Sequence, residues 1–266
     1  MRILLALVVF VLLTLFLTNW PDPVAHDVMP YHTSGLTHGP MLGQPTSTSM
    51  RVWVRTTKPM KFKIVYNTQL PLTLKTTSVE GVTTKEADST GFVTIRNLKP
   101  GTRYFYGVVT STGLIDTRME FDRAWPSFQT LPDKTTFADA QNNKRGLANF
   151  SFSIGCCMRQ KAQRDAEKFG IYANPPSFLN LFKNHGKDIS FHIVNGDFTY
   201  EETLDGTRAG YASNYKLYLR RGRNLANLFR YVPFMTMYDD HEVNSNLDGS
   251  GEIGLGHGDY LKREDA

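Results

Sequence analysis

The sequence predicts an all-β sandwich followed by an α/β part that is built on a largely parallel sheet. Between residues 39 and 131, short runs alternate apolar with polar residues and are separated by turns, whereas from residue 150 onward strand-like runs alternate with helical segments. Period-2 alternation is typical of half-buried strands, and alternation of strands with helices is typical of a parallel sheet. We therefore assign the sandwich to residues 38–132 and the α/β part to residues 148–266.

The N-terminus is strongly apolar. Met1 and Arg2 precede an almost unbroken apolar run over residues 3–18. A positive start followed by an apolar stretch is typical of a secretory signal. The run is slightly short for a bilayer span of about 20 residues, and no clear small-residue cleavage site follows it. Residues 1–20 fit a cleaved signal peptide or a membrane anchor, and both predict a protein that is exported, secreted or membrane-anchored facing the outside.

Composition and charge exclude several classes of protein. With 41% hydrophobic residues, the chain is too apolar for an intrinsically disordered protein. Its formal net charge of +5 is not concentrated in any run of five basic residues, so nothing indicates a nucleic-acid partner. The two cysteines, Cys156 and Cys157, are adjacent, which brings their Cα atoms closer than normal disulfide geometry requires. A disulfide framework is therefore excluded.

The strands of the first part are read from their period and from the turns between them. Residues 50–54 read Met-Arg-Val-Trp-Val, and residues 98–102 read Leu-Lys-Pro-Gly-Thr, a turn in which proline fixes φ and glycine permits a positive φ. Short strands with such turns and no helical segment predict a β-sandwich. We expect the large side chains of Trp53, Tyr104 and Tyr106 to fill its interior rather than to form a ligand platform.

The α/β part reads as three strands separated by two helical regions. Asn174 and the two prolines after it can cap and start the first helix, and Gly222 can interrupt the second. Strands joined by helical crossovers imply a largely parallel sheet. The predicted elements are a strand at residues 150–155, a helix starting near residue 176, a strand at 189–194, a helical region at 211–229 and a strand at 233–237.

A polar residue follows each of these three strands: Cys157, Asp197 and Asp240. Ligands of open parallel sheets bind at the carboxyl ends of the strands. A thiolate, carboxylates, a tyrosine and a histidine on one edge form a mixed set of soft and hard ligands, suited to a transition metal beside an oxygen-preferring ion. The Gly-x-Gly-x-x-Gly pattern at residues 249–254 follows a polar stretch instead of a strand, and we interpret it as a flexible loop.

Two motifs resemble those of known enzymes. Residues 196–200, Gly-Asp-Phe-Thr-Tyr, have the Gly-Asp-x-x-Tyr form of metallophosphoesterases such as purple acid phosphatases. Residues 239–246, which begin Asp-Asp-His-Glu, resemble the corresponding block of the alkaline phosphatase D family. That family shows Ser-Cys after its first catalytic strand and commonly Trp before the block, where this chain has Cys156 and Tyr238. The resemblance covers nearly all of residues 38–266.

The resemblance implies an all-β fibronectin III-like sandwich followed by the first half of an α/β metallophosphoesterase, which is a double β-sandwich flanked by helices. Residues 98–104 carry the fibronectin likeness, because a Leu-x-Pro-Gly-Thr-x-Tyr segment marks a corner between strands in those modules. The stretch from residue 149 onward is about half as long as the family's catalytic domain, so we expect a C-terminally truncated domain that is inactive alone. Several strand residues would then lack part of their cover: Phe152, Ile154, Ile189, Phe191 and Ile193.

The resemblance also implies roles for individual residues. Cys157, Asp197 and Tyr200 would hold Fe³⁺, and Asp197 would bridge to a divalent ion that Asp240 also binds. That ion is Ca²⁺ in the proteins that the chain resembles. His241 would protonate the leaving alkoxide or orient the phosphate.

The sequence therefore predicts a metal-dependent phosphoric ester hydrolase of the alkaline phosphatase D type, whose partner is a phosphate ester substrate. It leaves open whether the substrate is a monoester, a diester or a phospholipid. The alternative is a catalytically inactive β-sandwich binding module, exported or tethered to the membrane, with an incomplete α/β appendage. Metal analysis separates the two, because only the enzyme requires bound metal ions.

Overall fold

The computed structural model describes residues 35–111, 113–116, 125–157, 176–199, 207–221 and 223–242. The predicted signal or anchor at residues 1–20 and the predicted ligand Tyr200 lie outside these ranges, as does the glycine-rich stretch at residues 249–254. Among the residues that are described, no helix is long and apolar enough to cross a membrane.

The described chain begins with eight strands and ends with helices and strands in alternation. These elements are β1 (Leu36–Gly43), β2 (Met50–Thr56), β3 (Lys61–Asn67), β4 (Ser78–Val82), β5 (Thr90–Ile95), β6 (Arg103–Val109), β7 (Ile115–Asp116), β8 (Ser127–Gln129), α1 (Lys134–Phe137), β9 (Ser151–Gly155), α2 (Pro176–His185), β10 (Ile189–Asn195), α3 (Arg208–Arg221), α4 (Arg223–Tyr231), β11 (Phe234–Met237) and a 3₁₀ turn (Asp240–Glu242). The predicted helical region at residues 211–229 thus falls on two helices, α3 and α4.

The strands form two sheets. One has six strands in the order β5-β2-β1-β11-β10-β9, and the other has the order β4-β3-β6-β7, with β8 also paired to β6. Strands β9, β10 and β11 are parallel, which confirms the predicted parallel arrangement. Strand β1 pairs in parallel with β11 through Gly43 and Phe234. The two predicted parts therefore share one continuous sheet, and their exact boundaries stay a prediction.

The sandwich interior is formed by alternate residues of its strands. In β2 the side chains of Met50, Val52 and Val54 are buried in this core, together with Tyr104 and Tyr106 of β6. Trp53 was expected in the same interior, and this prediction is wrong. Because side chains alternate across a strand, Trp53 lies on the opposite face of β2, where it packs against the helical core instead.

The corner before β6 has the geometry that its sequence indicates. Gly101 has a positive φ of 57°, a conformation that costs a residue with a Cβ energy. The backbone N–H of Lys99 donates a hydrogen bond of 3.0 Å to the hydroxyl oxygen of Tyr104. This contact ties the strand to the turn before it, which is the arrangement of a tyrosine corner.

Helices α2, α3 and α4 cover one face of the parallel strands. Their contacts form a second core in which Phe229 of α4 stacks on Phe234 of β11, with ring centroids 4.2 Å apart. His192 of β10 is also buried there, and its Nδ1 lies 2.8 Å from the Ser153 hydroxyl on β9. Burial lowers the pKa of His192 to about 4, so the ring is neutral at physiological pH.

The opposite face of the same strands carries exposed apolar side chains. Phe152 and Ile154 of β9 are 50% and 61% exposed, and Met237 of β11 is 58% exposed. The ring of Phe152 stacks on Phe191 of β10 at 5.3 Å. The exposure of Phe152 and Ile154 agrees with the sequence-based expectation, whereas Ile189 packs against the helical core. We call this surface of β9, β10 and β11 the open sheet face.

Candidate metal centre

The candidate site is formed by two loops at the carboxyl ends of neighbouring parallel strands. The first follows β10 and begins with Gly196 and Asp197, which have φ values of 81° and 53°. The second follows β11 and contains Asp239 before the 3₁₀ turn at Asp240–Glu242. Because β10 and β11 run in the same direction, both loops leave the sheet at one edge.

The two loops touch at Gly196. A Cβ atom added there would lie 2.5 Å from the Cβ of Asp239 and 3.2 Å from its backbone nitrogen. Real Cβ atoms do not approach other heavy atoms that closely, so only glycine lets the loops come together at this point. The positive φ of Gly196 requires glycine for a second reason, because this conformation strains residues that carry a Cβ.

Three carboxylates meet where the loops touch. One ligand oxygen from each of Asp197, Asp239 and Asp240 lies within 4.8 Å of the other two. Asp197 is buried, Asp240 is half-buried and Asp239 is exposed, so the group opens to solvent on one side. Like charges this close raise the energy of the ionised carboxylates, and a cation between them removes that penalty. Oxygen-only ligands suit hard cations such as Ca²⁺, Mg²⁺ or Mn²⁺.

A fourth carboxylate, that of Glu242, binds the backbone of both loops. Its Oε2 accepts hydrogen bonds from the N–H of Asp197 at 2.9 Å and from the N–H of Asp239 at 2.8 Å. Its Oε1 accepts from the N–H groups of Phe198 and Thr199, the latter at 3.2 Å. Glu242 is 95% buried, so these bonds form away from water. One side chain thus connects the segments that carry the three aspartates.

The structure brings two of the predicted ligands together, Asp197 and Asp240, and adds Asp239 to them. Cys157 is exposed, its Sγ lies 3.3 Å from that of Cys156, and it does not belong to the three-carboxylate group. The imidazole of His241 is half-buried on the 3₁₀ turn next to Asp240. The proposed roles of Cys157, Tyr200 and His241 stay predictions.

Sequence reasoning gave no role to Glu242, although a signal for it was present. An acidic N-cap residue followed three positions later by Glu is a capping box, in which the Glu carboxylate accepts the N–H of the N-cap residue. Asp239 and Glu242 have this spacing, and the predicted bond is present at 2.8 Å. The bonds from Glu242 to the other loop depend on tertiary structure and have no counterpart in the local sequence.

Helix α3 packs against the loop that follows β10. The ring of Tyr215 stacks on Phe198 with centroids 5.9 Å apart, and Tyr218 is fully buried beside it. Burial raises the pKa of Tyr215 to about 12, and the negative charge of Glu242 contributes in the same direction. Tyr215 therefore stays a neutral phenol, and its role at the site is to pack against the loop.

A cavity of about 600 Å³ lies beside the same loop, between β1, β2, α3 and β11. Its walls are mostly apolar and include Arg51, whose guanidinium carbon lies 4.3 Å from the centroid of the Phe92 ring. Phe198 directly follows Asp197, so one wall of the cavity belongs to the loop of the candidate site. The other large apolar and aromatic side chains that line the cavity are those of Met41, Leu42, Trp53, Tyr215, Leu219, Phe234 and Met235.

Comparison with known proteins identifies the fold more clearly than the family. A family model described as a domain of unknown function (DUF7800) matches residues 33–126, which include most of the sandwich. No curated protein matches the chain. Among solved structures, the chain is similar to PhoD, with a TM-score of 0.59 and 15% identity over 84% of this chain and 42% of PhoD. This likeness shows that the chain shares its fold with the matching part of PhoD.

Two further structures are similar at lower scores. A purple acid phosphatase, PPD1 from yellow lupin (Lupinus luteus) seeds, is similar over 83% of this chain and 38% of its own, with 16% identity and a TM-score of 0.49. A fibronectin type III domain of human collagen XX is similar over 29% of this chain and 82% of its own, with 23% identity and a TM-score of 0.21. The chain spans less than half the length of PhoD or of the lupin enzyme.

Proposed function

We propose that the chain belongs to a metal-dependent phosphoric ester hydrolase of the alkaline phosphatase D type. The observation that carries this proposal is the group of three carboxylates, Asp197, Asp239 and Asp240, at the carboxyl edge of the parallel strands. The fold that the chain shares with PhoD supports the assignment. The chain spans 42% of the length of PhoD. The activity, substrate and partners given below are therefore proposals.

The residues of the site fit a hard cation. Three carboxylate oxygens within 4.8 Å of one another can converge on one ion, and Asp197 and Asp239 approach from different loops. In our proposal Asp240 and Asp197 hold a divalent ion, for which Ca²⁺ is the first candidate. Asp197 would also bind Fe³⁺, together with Cys157 and Tyr200, which follow β9 and β10 in the sequence.

When bound, such metal ions polarise phosphate oxygens and lower the pKa of a coordinated water. The chain's own residues contribute position and charge. Asp197, buried and fixed by its backbone, supplies negative charge at a defined point, and His241 lies next to Asp240, where its imidazole can donate a proton to the departing alkoxide. The cavity beside Phe198 offers space for the organic group of an ester, and we leave monoesters, diesters and phospholipids as candidate substrates.

We further propose that the protein works outside the cytoplasm, because the apolar run at residues 3–18 is typical of a signal or an anchor. The alternative function, a tethered sandwich that binds a partner without catalysis, is favoured by one observation. The family model covers residues 33–126 and therefore none of the three aspartates.

Metal content and hydrolysis test the proposal together. The full chain would be loaded with Fe³⁺ and Ca²⁺, dialysed, and assayed for bound metal by mass spectrometry and for turnover of bis(4-nitrophenyl) phosphate. We expect Asp197→Asn to reduce bound metal, because a neutral amide cannot balance cationic charge as a carboxylate does, and to remove whatever turnover the unsubstituted chain shows. Asp188→Asn, an exposed position at the other end of β10, is the matched control. A folded chain that binds no metal would favour the binding module.

A further inference from the structure

We propose that Glu242 is the positioning residue of the metal centre: it fixes the loop of Asp197 against the loop of Asp239 and Asp240, and thereby sets the affinity for the cation. This inference rests on the proposed function, since it concerns the same site. Its basis is a set of four backbone N–H groups, three from one loop and one from the other, that all donate to one buried carboxylate.

The count of hydrogen bonds distinguishes positioning from ligation. An ionised carboxylate has about four lone-pair positions, two on each oxygen. Oε1 of Glu242 accepts from Phe198 and Thr199, and Oε2 accepts from Asp197 and Asp239, so all four positions are used. Glu242 therefore has no lone pair left for a metal ion or for a proton from substrate. It acts on the ion only through the aspartates that it holds.

The neighbouring contacts explain why the site needs such a residue. Without a cation, the carboxylates of Asp197, Asp239 and Asp240 repel one another and favour separation of the loops. Glu242 opposes that separation, because moving either loop away would leave buried N–H groups or carboxylate oxygens without partners. Gly196 and Asp239 lie so close that the two loops are in direct contact in the structure in which Glu242 binds both of them.

Glu242→Gln tests the proposal with little change in shape. One carboxylate oxygen becomes an amide group, which would point N–H donors at backbone N–H donors, so two of the four bonds are lost. Residues that orient metal ligands typically change metal affinity by about 10- to 100-fold when they are substituted. We therefore expect the Kd of the full chain for Mn²⁺, measured by calorimetric titration, to rise by about 10-fold or more. Glu80→Gln, at an exposed position of β4, is the matched control and should leave the Kd unchanged.

Amide hydrogen exchange supplies a readout that does not depend on metal. In the metal-free Glu242→Gln chain, the amides of Asp197, Phe198, Thr199 and Asp239 should exchange faster than in the parent, while the strand amides of the sandwich keep their protection. Glu242→Asp, which keeps the charge but shortens the reach, should show the same pattern to a lesser degree and serves if the Gln variant does not fold. Unchanged exchange at these four amides, or an unchanged Kd for Mn²⁺, would overturn the positioning role.

Asp197→Asn separates this inference from the proposed function. If Asp197→Asn leaves Mn²⁺ binding intact, the metal centre itself is wrongly placed, and both the proposed function and the positioning role of Glu242 fail. If Asp197→Asn weakens binding whereas Glu242→Gln does not, the metal centre stands and only the positioning role fails.

Discussion

The hydroxyl of Tyr106 in the sandwich donates a buried hydrogen bond of 2.7 Å to the backbone carbonyl of Arg230 near the end of α4. The two residues are 124 positions apart in the sequence. The bond joins the sandwich core to the helical core that supports the candidate site. Burial raises the pKa of Tyr106 well above its usual value, so the hydroxyl keeps its proton across the physiological range.

Tyr106→Phe removes this hydroxyl and leaves the ring in place. We expect the free energy of unfolding to fall by about 1–3 kcal/mol, because the Arg230 carbonyl loses a buried hydrogen bond. Urea denaturation of the full chain measures the loss. Tyr66→Phe, on β3 of the same sandwich, is the control, since the Tyr66 ring is only half-buried. Equal losses in the two variants would contradict a special role for the bond to Arg230.

Stability should depend on pH through His192. Its pKa is about 4 in the folded chain and about 6.5 when exposed, so the unfolded chain binds more protons between these values. The free energy of unfolding should therefore decrease as the pH falls from about 7 to about 4, by up to about 3 kcal/mol. Below about pH 4 the contribution of His192 should become constant, because its imidazole is then protonated in both the folded and the unfolded chain.

Comparison of variants assigns this pH dependence. His192→Phe should remove the His192 contribution, visible as a flatter plot of unfolding free energy against pH. His185→Gln, at an exposed position near the end of α2, should leave the slope as it is. A slope that survives in His192→Phe would assign the effect to other groups.

Gly196→Ala should disrupt the candidate site more than its backbone conformation alone explains. A left-handed φ costs a residue with a Cβ about 1–2 kcal/mol. Gly113 has a φ of 71° with no heavy atom near its missing Cβ, so Gly113→Ala should lose only this amount. Gly196→Ala adds the clash with Asp239, and we expect at least twice the loss in thermal unfolding together with weaker Mn²⁺ binding. Similar losses for both glycines would show that the contact between the loops can relax.

The open sheet face should make the chain self-associate. Ile154 on this face is 61% exposed, and its apolar neighbours Phe152 and Met237 are exposed as well. Contiguous exposed apolar surface promotes association. We expect Ile154→Lys to lower the apparent mass in light scattering at high protein concentration. Val82→Lys, at a position that is 54% exposed on β4 of the sandwich, should change it less. An equal effect of both substitutions would point to charge alone.

The sequence predicted the elements well because their signals are local. The three parallel strands, the helix after Pro175 and the turn at Gly101 follow from period, prolines and glycine, which act within a few residues. Trp53 was misassigned because an aromatic residue by itself fits either face of a short strand. The alternation along β2 indicates its face: Val52 and Val54 point into the sandwich core, so Trp53 between them points away from it.

The candidate site was predicted only in part, since it depends on contacts between loops. Asp197 and Asp240 were predictable from their places after strands, because parallel strands bring their carboxyl ends together. The contribution of Asp239 and the four backbone bonds of Glu242 depend on how closely the loops approach, which is set by tertiary packing at Gly196. A pattern read along one segment carries no information about that distance.

The pairing of β1 with β11 has a consequence for synthesis of the chain. β1 is among the first strands to leave the ribosome, but its parallel neighbour at Phe234 is made only after the whole sandwich and the helices α2 to α4. Until then β1 presents an unpaired edge, which is a template for pairing with other chains. Closing so long a loop is entropically costly and slow. The nascent chain should therefore depend on protection of this edge during translation.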